Sequence, residues 1–125
     1  MGQIFEEIEV EDQRVKVKID TGSDFPLSLK KELIEKLKLV RHPTAKALII
    51  SEERGLVESP AYIARVKVRG CEIPPTVVVE ATGENILGHP IMQLLKAKVD
   101  EEKEKLIIER CPEFFFGEFR GKIID

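Results

Sequence analysis

The feature that most constrains this chain is a run of alternating apolar and charged side chains that ends in an acid and a glycine. In residues 14–19, valine or isoleucine occupies every second position, and a cation stands at each position between them. This period of two predicts a β-strand with one buried and one exposed face. Asp20, Thr21 and Gly22 follow directly. Because turns are rich in these residue types, the run alone does not distinguish a structural turn from a catalytic aspartate.

Composition limits the classes of protein to which the chain can belong. Its 125 residues suffice for one domain with its own core, and the 42% hydrophobic and 34% charged fractions indicate a globular protein. The net charge of -3 arises from interleaved acids and cations without a basic patch, so we expect no nucleic-acid partner. No basic segment precedes an apolar one at the N-terminus, and no apolar run is long enough to span a bilayer. We therefore expect a cytoplasmic protein without a membrane partner.

The cysteines and histidines give no support to metal or cofactor chemistry. Cys71 and Cys111 lack metal-ligand spacing, and His42 and His89 stand far apart in the sequence. We expect both cysteines to be reduced thiols, and we predict no metal and no cofactor. The abundance of Glu, Lys, Ile and Val, with few Asn, Gln, Met and Cys, is typical of proteins from hot environments.

Further patterns predict a β-rich chain with two short helices. The first helix has Ser28 as its N-cap and an apolar stripe at helical spacing. The second begins near Pro90, because proline is tolerated in the first turn of a helix. Residues 41–43 are predicted to form a loop, and residues 47–58 a hairpin with Gly55 near its tip. The other predicted strands are residues 4–10, 61–69, 76–80, 98–100 and 105–108.

Three landmarks in this order resemble the retropepsin-like aspartic proteases, the single-lobe relatives of pepsin. They are the strand ending in Asp20-Thr21-Gly22-Ser23, the flap-like hairpin of residues 48–57, and Ile86-Leu87-Gly88 opening a helix. An Asp-Thr-Gly tripeptide arises by chance in a chain of this length at roughly the level of a few per cent, so the Ile-Leu-Gly motif makes the match specific. The resemblance covers residues 10–109. It implies a mainly β fold, a retropepsin-like closed acid-protease barrel with two short helices.

The resemblance divides the chain into a domain and an extension. Residues 1–109 form the predicted retropepsin-like aspartic protease domain, and residues 110–125 form a C-terminal extension without a counterpart in the match. Four phenylalanines lie in this extension. These side chains could extend the hydrophobic core, cover the subunit interface or lie over the cleft. The sequence does not choose among these roles.

The family likeness also implies a reaction and an assembly. Peptide hydrolysis of this type uses two aspartates that share one proton, one as base toward the attacking water and one as acid toward the carbonyl. The chain has one Asp-Thr-Gly and is too short for two lobes. The resemblance therefore implies a homodimer with one Asp20 per subunit in the dyad, no metal or cofactor, and an extended peptide or protein as substrate. Two rivals stay open: a catalytically weak or inactive peptide-binding dimer, and a monomer in which the motif is only a turn.

The match assigns roles residue by residue. Thr21 would contact its counterpart across the two-fold axis, and the Gly22 backbone would meet the substrate. A further hypothesis pairs Asp24 with His89 beneath the site, and the alternative for His89 is a helix N-cap without a partner. The predicted catalytic residues are Asp20, Thr21 and Gly22. The predicted substrate-binding residues are Ser23, Asp24, Ile49, Ile50, Gly55 and Leu56, and the predicted structural supports are Ile86, Leu87, Gly88 and His89.

Overall fold

The computed structural model describes residues 3–51 and 53–113, which form eleven strands and two helices. The helices are α1 (Lys31–Leu37) and α2 (His89–Leu95). The strands are β1 (Phe5–Val10), β2 (Gln13–Asp20), β3 (Leu27–Lys30), β4 (Val40–Ser51), β5 (Gly55–Ala64), β6 (Val66–Val68), β7 (Cys71–Glu72), β8 (Thr76–Ala81), β9 (Ile86–Gly88), β10 (Lys98–Asp100) and β11 (Lys105–Ile107).

Nine strands form one sheet in the order β4-β5-β8-β3-β9-β2-β1-β6-β7, and β10 pairs with β11 in a small second sheet. Most neighbours are antiparallel, whereas β2 with β9 and β3 with β8 are parallel pairs. In the described part of the chain, no pairing joins β4 to β7 and closes the large sheet. The predicted mainly β fold with two short helices is confirmed. Neither described helix has the length and apolar character needed to cross a membrane.

The alternating run predicted as a strand is β2, which pairs antiparallel with β1. Val15 and Val17 of β2 are buried, and Val15 lies opposite the buried Ile8 of β1. The two residues of the connecting turn, Glu11 and Asp12, both have positive φ, at 50° and 65°. A tight hairpin turn whose twist matches its strands requires this conformation. The sequence period therefore predicts the strand and its buried face correctly.

Buried aliphatic side chains from the sheets and both helices form one core. Ile34 and Leu37 contribute from α1, and Met92 and Leu95 contribute from α2. Leu106 of β11 has no exposed surface and belongs to the same core. The hairpin of β10 and β11, called here the closing hairpin, is thus attached to the domain through side-chain packing, because its strands do not belong to the large sheet.

The first helix begins later than the sequence predicts. It starts at Lys31, and Lys30 is its N-cap. Ser28 lies in β3, where 7% of the residue is exposed, with pairing partners in both β8 and β9. Pairing on both sides outweighs the preference of serine for a helix cap. The N-cap prediction for Ser28 is wrong.

The segment around His42, predicted as a loop, lies within the long strand β4. The register with β5 shifts between Arg41 and Lys46, so the intervening residues bulge from the ladder. His42 Nδ1 accepts hydrogen bonds from the backbone N–H groups of Thr44 at 3.2 Å and Ala45 at 2.8 Å. The imidazole thereby satisfies backbone donors within the bulge. The loop prediction is wrong because this side chain supports an interruption inside a strand.

The two cysteines form a disulfide, which corrects the prediction of reduced thiols. Cys71 lies in β7 and Cys111 follows β11, and their Cα atoms are 5.3 Å apart. They are separated by 40 positions in sequence. The contact depends on the packing of β11 against β1 and on the pairing of β1, β6 and β7, which a spacing of cysteines does not encode. The phenylalanines of the predicted extension lie outside the described residues.

Removing the disulfide is expected to lower the free energy of unfolding. A cross-link that closes a loop of this length stabilises a protein by about 4 kcal/mol when the loss of entropy in the unfolded chain is counted. Urea unfolding of oxidised wild type and of Cys111→Ser measures the difference. Wild type under reducing conditions should match the variant. An unchanged midpoint in Cys111→Ser would show that the bond does not stabilise the fold.

Candidate active site

Asp20 ends β2 and lies opposite Gly88, the last residue of β9, in a parallel pairing. β9 runs between β2 and β3, so the connection from β2 to β3 passes the end of β9. This connection, residues 21–26, is called here the Asp20 loop. The Asp-Thr-Gly and Ile-Leu-Gly motifs, far apart in sequence, are therefore neighbours in the folded chain.

The carboxylate of Asp20 is oriented by its own loop. The backbone N–H of Gly22 donates to Asp20 Oδ1 at 2.9 Å, and the N–H of Ser23 donates to the Asp20 carbonyl at 3.1 Å. Asp20 is partly exposed, and Thr21 and Gly22 are exposed. The loop therefore presents an acid in a fixed direction at the surface of the single chain.

The Asp20 loop rests directly on Gly88. The N–H of Gly88 donates to the Pro26 carbonyl, and the N–H of His89 donates to the Ser23 carbonyl, each at 3.0 Å. A Cβ atom on Gly88 would overlap the carbonyl oxygen of Phe25 and lie 3.1 Å from that of Ser23. The φ angle of Gly88 is -95°, which any residue adopts. Glycine is therefore required here for the close approach of two backbones.

Gly88→Ala is expected to displace the Asp20 loop and to destabilise the protein by about 3 kcal/mol or more, because backbone atoms cannot rotate away from the added methyl group. Gly83→Ala is the matched control, since a Cβ atom at Gly83 meets no atom within 4 Å. Urea unfolding of both variants measures the difference. Equal stability of the two variants would contradict the close packing of the loop on β9.

Asn85 joins the strands that flank β9, a role that the sequence motifs do not predict. Its side-chain carbonyl accepts from the N–H of Lys30 at 2.9 Å, and its amide group donates to the Lys16 carbonyl at 3.4 Å. Its own backbone carbonyl accepts from the N–H of Lys18 at 2.8 Å. An asparagine two positions after a glycine is typical of a turn, which conceals this role. The available signal is its position directly before Ile86, where a side chain that both donates and accepts can bridge two strands.

Asn85→Ala removes both side-chain hydrogen bonds and is expected to lower the free energy of unfolding by about 1–3 kcal/mol. Asn85→Asp keeps the acceptor for Lys30 and loses the donor to Lys16, so an intermediate effect is expected. Thr82→Ala, an exposed change in the same turn, serves as the control. Thermal and urea unfolding rank the three variants, and an Asn85→Ala protein as stable as Thr82→Ala would exclude the bridging role.

The flap-like hairpin is present and is separated from the Asp20 loop in the sheet. β4 and β5 pair as far as Gly55, whose φ is 72°. Ile50 and Leu56 are cross-strand partners and are 85% and 66% exposed, whereas Ile49 is partly buried. Three strands stand between β5 and β2 in the sheet order. Strand pairing therefore does not bring these predicted substrate-binding residues to the acid.

Asp24 and His89 do not pair in the single chain. Both are exposed, and the ion pairs found among the described residues do not include them. The N-cap of α2 is Gly88, without a side-chain hydrogen bond, so the alternative of a capping His89 is also wrong. The backbone of His89 supports the site instead, through its hydrogen bond to Ser23.

The surroundings of the acid include a groove of about 270 Å³ that links the Asp20 loop to the closing hairpin. Thr21, Ile19 and Val99 are among its lining residues. The exposed side of the loop and β10 thus share one surface. Within the described ranges, no three His, Cys, Asp or Glu side chains are placed to hold a metal ion.

Comparison with solved structures decides the fold. The EIAV protease complexed with the inhibitor HBY-793 matches with a TM-score of 0.63 and 27% sequence identity, over 79% of this chain and 93% of that chain. The chain has the retropepsin-like fold. The retroviral protease-like domain of Ddi1 from Leishmania major matches with a TM-score of 0.59 and 17% identity, over 89% of this chain and 90% of that chain. A retropepsin-like aspartic protease from Rickettsia conorii matches with a TM-score of 0.60 and 19% identity, over 80% and 78%.

The retropepsin-like fold confirms the resemblance drawn from the Asp-Thr-Gly and Ile-Leu-Gly motifs. Because the match spans 93% of the EIAV protease chain, nearly all of that protease has a counterpart here. The fold supports a peptidase of the aspartic type. No protein-family profile and no curated protein matches the sequence.

Proposed function

We propose that this retropepsin-like chain is an aspartic endopeptidase that acts as a homodimer, with one Asp20 from each subunit in the catalytic dyad. The observation that carries the proposal is the geometry of Asp20. The acid ends a strand, its carboxylate accepts from the Gly22 N–H at 2.9 Å, and its loop rests on Gly88. Because an aspartate in an ordinary turn makes the same hydrogen bond to the N–H two residues on, the support comes from the place of this acid in a retropepsin-like fold, on a loop held against Gly88.

The reaction requires a second carboxylate. In the proposed dyad, the ionised Asp20 takes a proton from a water molecule that attacks the peptide carbonyl, while the protonated Asp20 of the other subunit hydrogen-bonds the carbonyl oxygen. The tetrahedral intermediate then collapses as a proton passes to the leaving amine. Two carboxylates this close share one proton because both cannot ionise together. The sequence supplies one Asp-Thr-Gly per chain, so the dyad needs two chains.

The surface that carries the groove is the proposed subunit interface. It contains the exposed Thr21 and Gly22 together with Val99 of the closing hairpin. A two-stranded sheet is marginally stable alone and has unpaired edges. The closing hairpins of two subunits would satisfy these edges by pairing with each other. Thr21 of each chain would then meet its counterpart across the two-fold axis.

The flap-like hairpin is the proposed cover for an extended peptide or protein substrate. Its exposed side chains include Leu48 (57%), Ile50 (85%) and Leu56 (66%), an unusual concentration of apolar surface for a solvated turn. Ile49 and Gly55 belong to the same proposed contact, and Ser23 and Asp24 would contact the peptide from the Asp20 loop. Dimer formation brings these elements to one cleft.

Asp20→Asn is expected to reduce peptide hydrolysis by about 10³-fold or more, because general acid–base catalysis loses its proton acceptor. Asp12→Asn, the same chemical change at an exposed acid in the β1–β2 turn, should retain activity. The assay is a mixed peptide library at about pH 4 to 6, the range in which shared-proton dyads work, with products identified by mass spectrometry. Cleavage that persists in Asp20→Asn excludes the catalytic proposal.

Mixing wild type with Asp20→Asn tests whether the dyad spans two chains. If subunits exchange freely in a one-to-one mixture, about half of the wild-type chains are paired with inactive partners. Activity per wild-type chain should therefore fall to about half. A single-chain active site would show no such loss. Sedimentation at micromolar concentration establishes the dimer independently, and a dimer that binds peptides without cleaving them would support the peptide-binding alternative.

A further inference from the structure

The Cys71–Cys111 disulfide joins two parts of the fold that the proposed reaction does not use. Cys71 lies in β7, at one end of the large sheet, and is 3% exposed. Cys111 is exposed and stands a few positions after β11. The bond therefore connects the large sheet to the chain as it leaves the closing hairpin. One of its residues is open to solvent and the other is enclosed.

The closing hairpin is held to the domain by side-chain packing as well as by this bond, since Val99 and Ile108 also pack against the core. Its strands pair only with each other among the described residues, and Leu106 anchors β11 in the core beside β1. Glu109, Arg110 and Glu113 are exposed and take part in no hydrogen bond or ion pair within the described chain. After Ile108, the disulfide is thus the covalent link that holds the described chain to the large sheet.

We propose that this disulfide is a redox site at which a dithiol reductant releases a covalent restraint on the closing hairpin and thereby weakens the homodimer. The inference rests on the proposed function, because that function places the closing hairpin at the subunit interface. The redox state of the two cysteines would control how tightly the subunits associate. Oxidised chains dimerise, and reduced chains lose dimer affinity while the core of the domain stays folded.

The burial of the two cysteines determines the course of the exchange. A thiolate of the reductant attacks Sγ of the accessible Cys111, the disulfide breaks, and Cys71 leaves as a thiolate and takes up a proton. The second thiol of the reductant then attacks the reductant sulfur that is bonded to Cys111. This step closes the reductant's own disulfide and releases Cys111 as a thiol. Two electrons and two protons pass from the dithiol, which becomes a disulfide, to the pair of cysteines. A groove of about 390 Å³ lined by Leu95, Lys96 and Cys111, among others, gives the reductant its approach.

Loss of the covalent restraint lowers dimer affinity, because the closing hairpin must be ordered in the interface when two subunits associate. A released hairpin samples more conformations, so association has to restrict them again. Couplings of this kind change affinity by about 5-fold to 150-fold. The coupling is reciprocal, so dimer formation must in turn make the disulfide harder to reduce.

Sedimentation equilibrium of oxidised and dithiothreitol-reduced wild type tests the proposal. Reduction is expected to raise the dimer dissociation constant by about tenfold or more. The double variant Cys71→Ala/Cys111→Ser should show the weaker value with or without reductant. Ile34→Ala is the control for general destabilisation: it opens a cavity at a buried position of α1 and leaves the disulfide intact. This control should keep the affinity of the oxidised protein.

A second measurement uses wild type alone and does not depend on the folding of any variant. The disulfide is equilibrated with dithiothreitol buffers at protein concentrations below and above the dimer dissociation constant. The midpoint reduction potential of the disulfide should be more negative at the higher protein concentration, because dimer formation favours the oxidised chain. A midpoint independent of concentration overturns the inference.

The failures of the two proposals are distinguishable. A dimer of equal affinity in both redox states overturns the redox site and leaves the peptidase proposal intact. Loss of affinity in Ile34→Ala as large as that caused by reduction overturns the anchoring role, because global stability then explains the effect. A chain that is monomeric in both states at every concentration overturns the homodimeric peptidase, and the redox control with it.

Discussion

The contact between the Gly88 backbone and the Asp20 loop is the constraint on which the site depends. Two backbone segments approach so closely that no side chain fits between them, and two hydrogen bonds fix their register. A strand from late in the sequence is thereby inserted between β2 and β3. The acid, its loop and the start of α2 all take their positions from this insertion. The retropepsin-like fold positions Asp20 through main-chain geometry, so the surrounding surface can vary without displacing the acid.

The sequence predicts the parts of this arrangement that are local. The alternation before Asp20 identifies a strand and its buried face, because the pleat has a period of two. The Asp-Thr-Gly and Ile-Leu-Gly motifs identify the two partners of the central contact. Both are short backbone-driven features, and each contains a glycine whose role depends on close approach or a tight turn.

Features set by distant parts of the chain are not encoded locally. Ser28 has the chemistry of a helix cap, but its neighbours in β8 and β9 hold it in a strand. Asn85 is a residue type common in turns. Its bridging hydrogen bonds become evident only when β2 and β3 are placed on either side of it. The disulfide requires β11 to pack near β1 before Cys71 and Cys111 can meet. In each case tertiary contact outweighs local preference.

The disulfide also bears on the cytoplasmic location, which stays a prediction. Structural disulfides are rare in the cytosol of mesophiles, whereas intracellular proteins of hyperthermophiles are rich in them. The abundance of Glu, Lys, Ile and Val in this sequence is typical of proteins from hot environments. We propose that the cross-link and the cytoplasmic location are compatible for this reason.

The parallel pairing of β2 with β9 has a consequence for biosynthesis. Asp20 lies near the beginning of the chain, whereas its partner Gly88 lies well past the middle. Contacts between distant positions form slowly, because a long loop must close before they contribute any stability. During translation, the emerging chain carries its acid without the strand that gives the surrounding loop its shape. The ordered site therefore appears only after the chain through α2 has left the ribosome and the two halves of the sheet have joined.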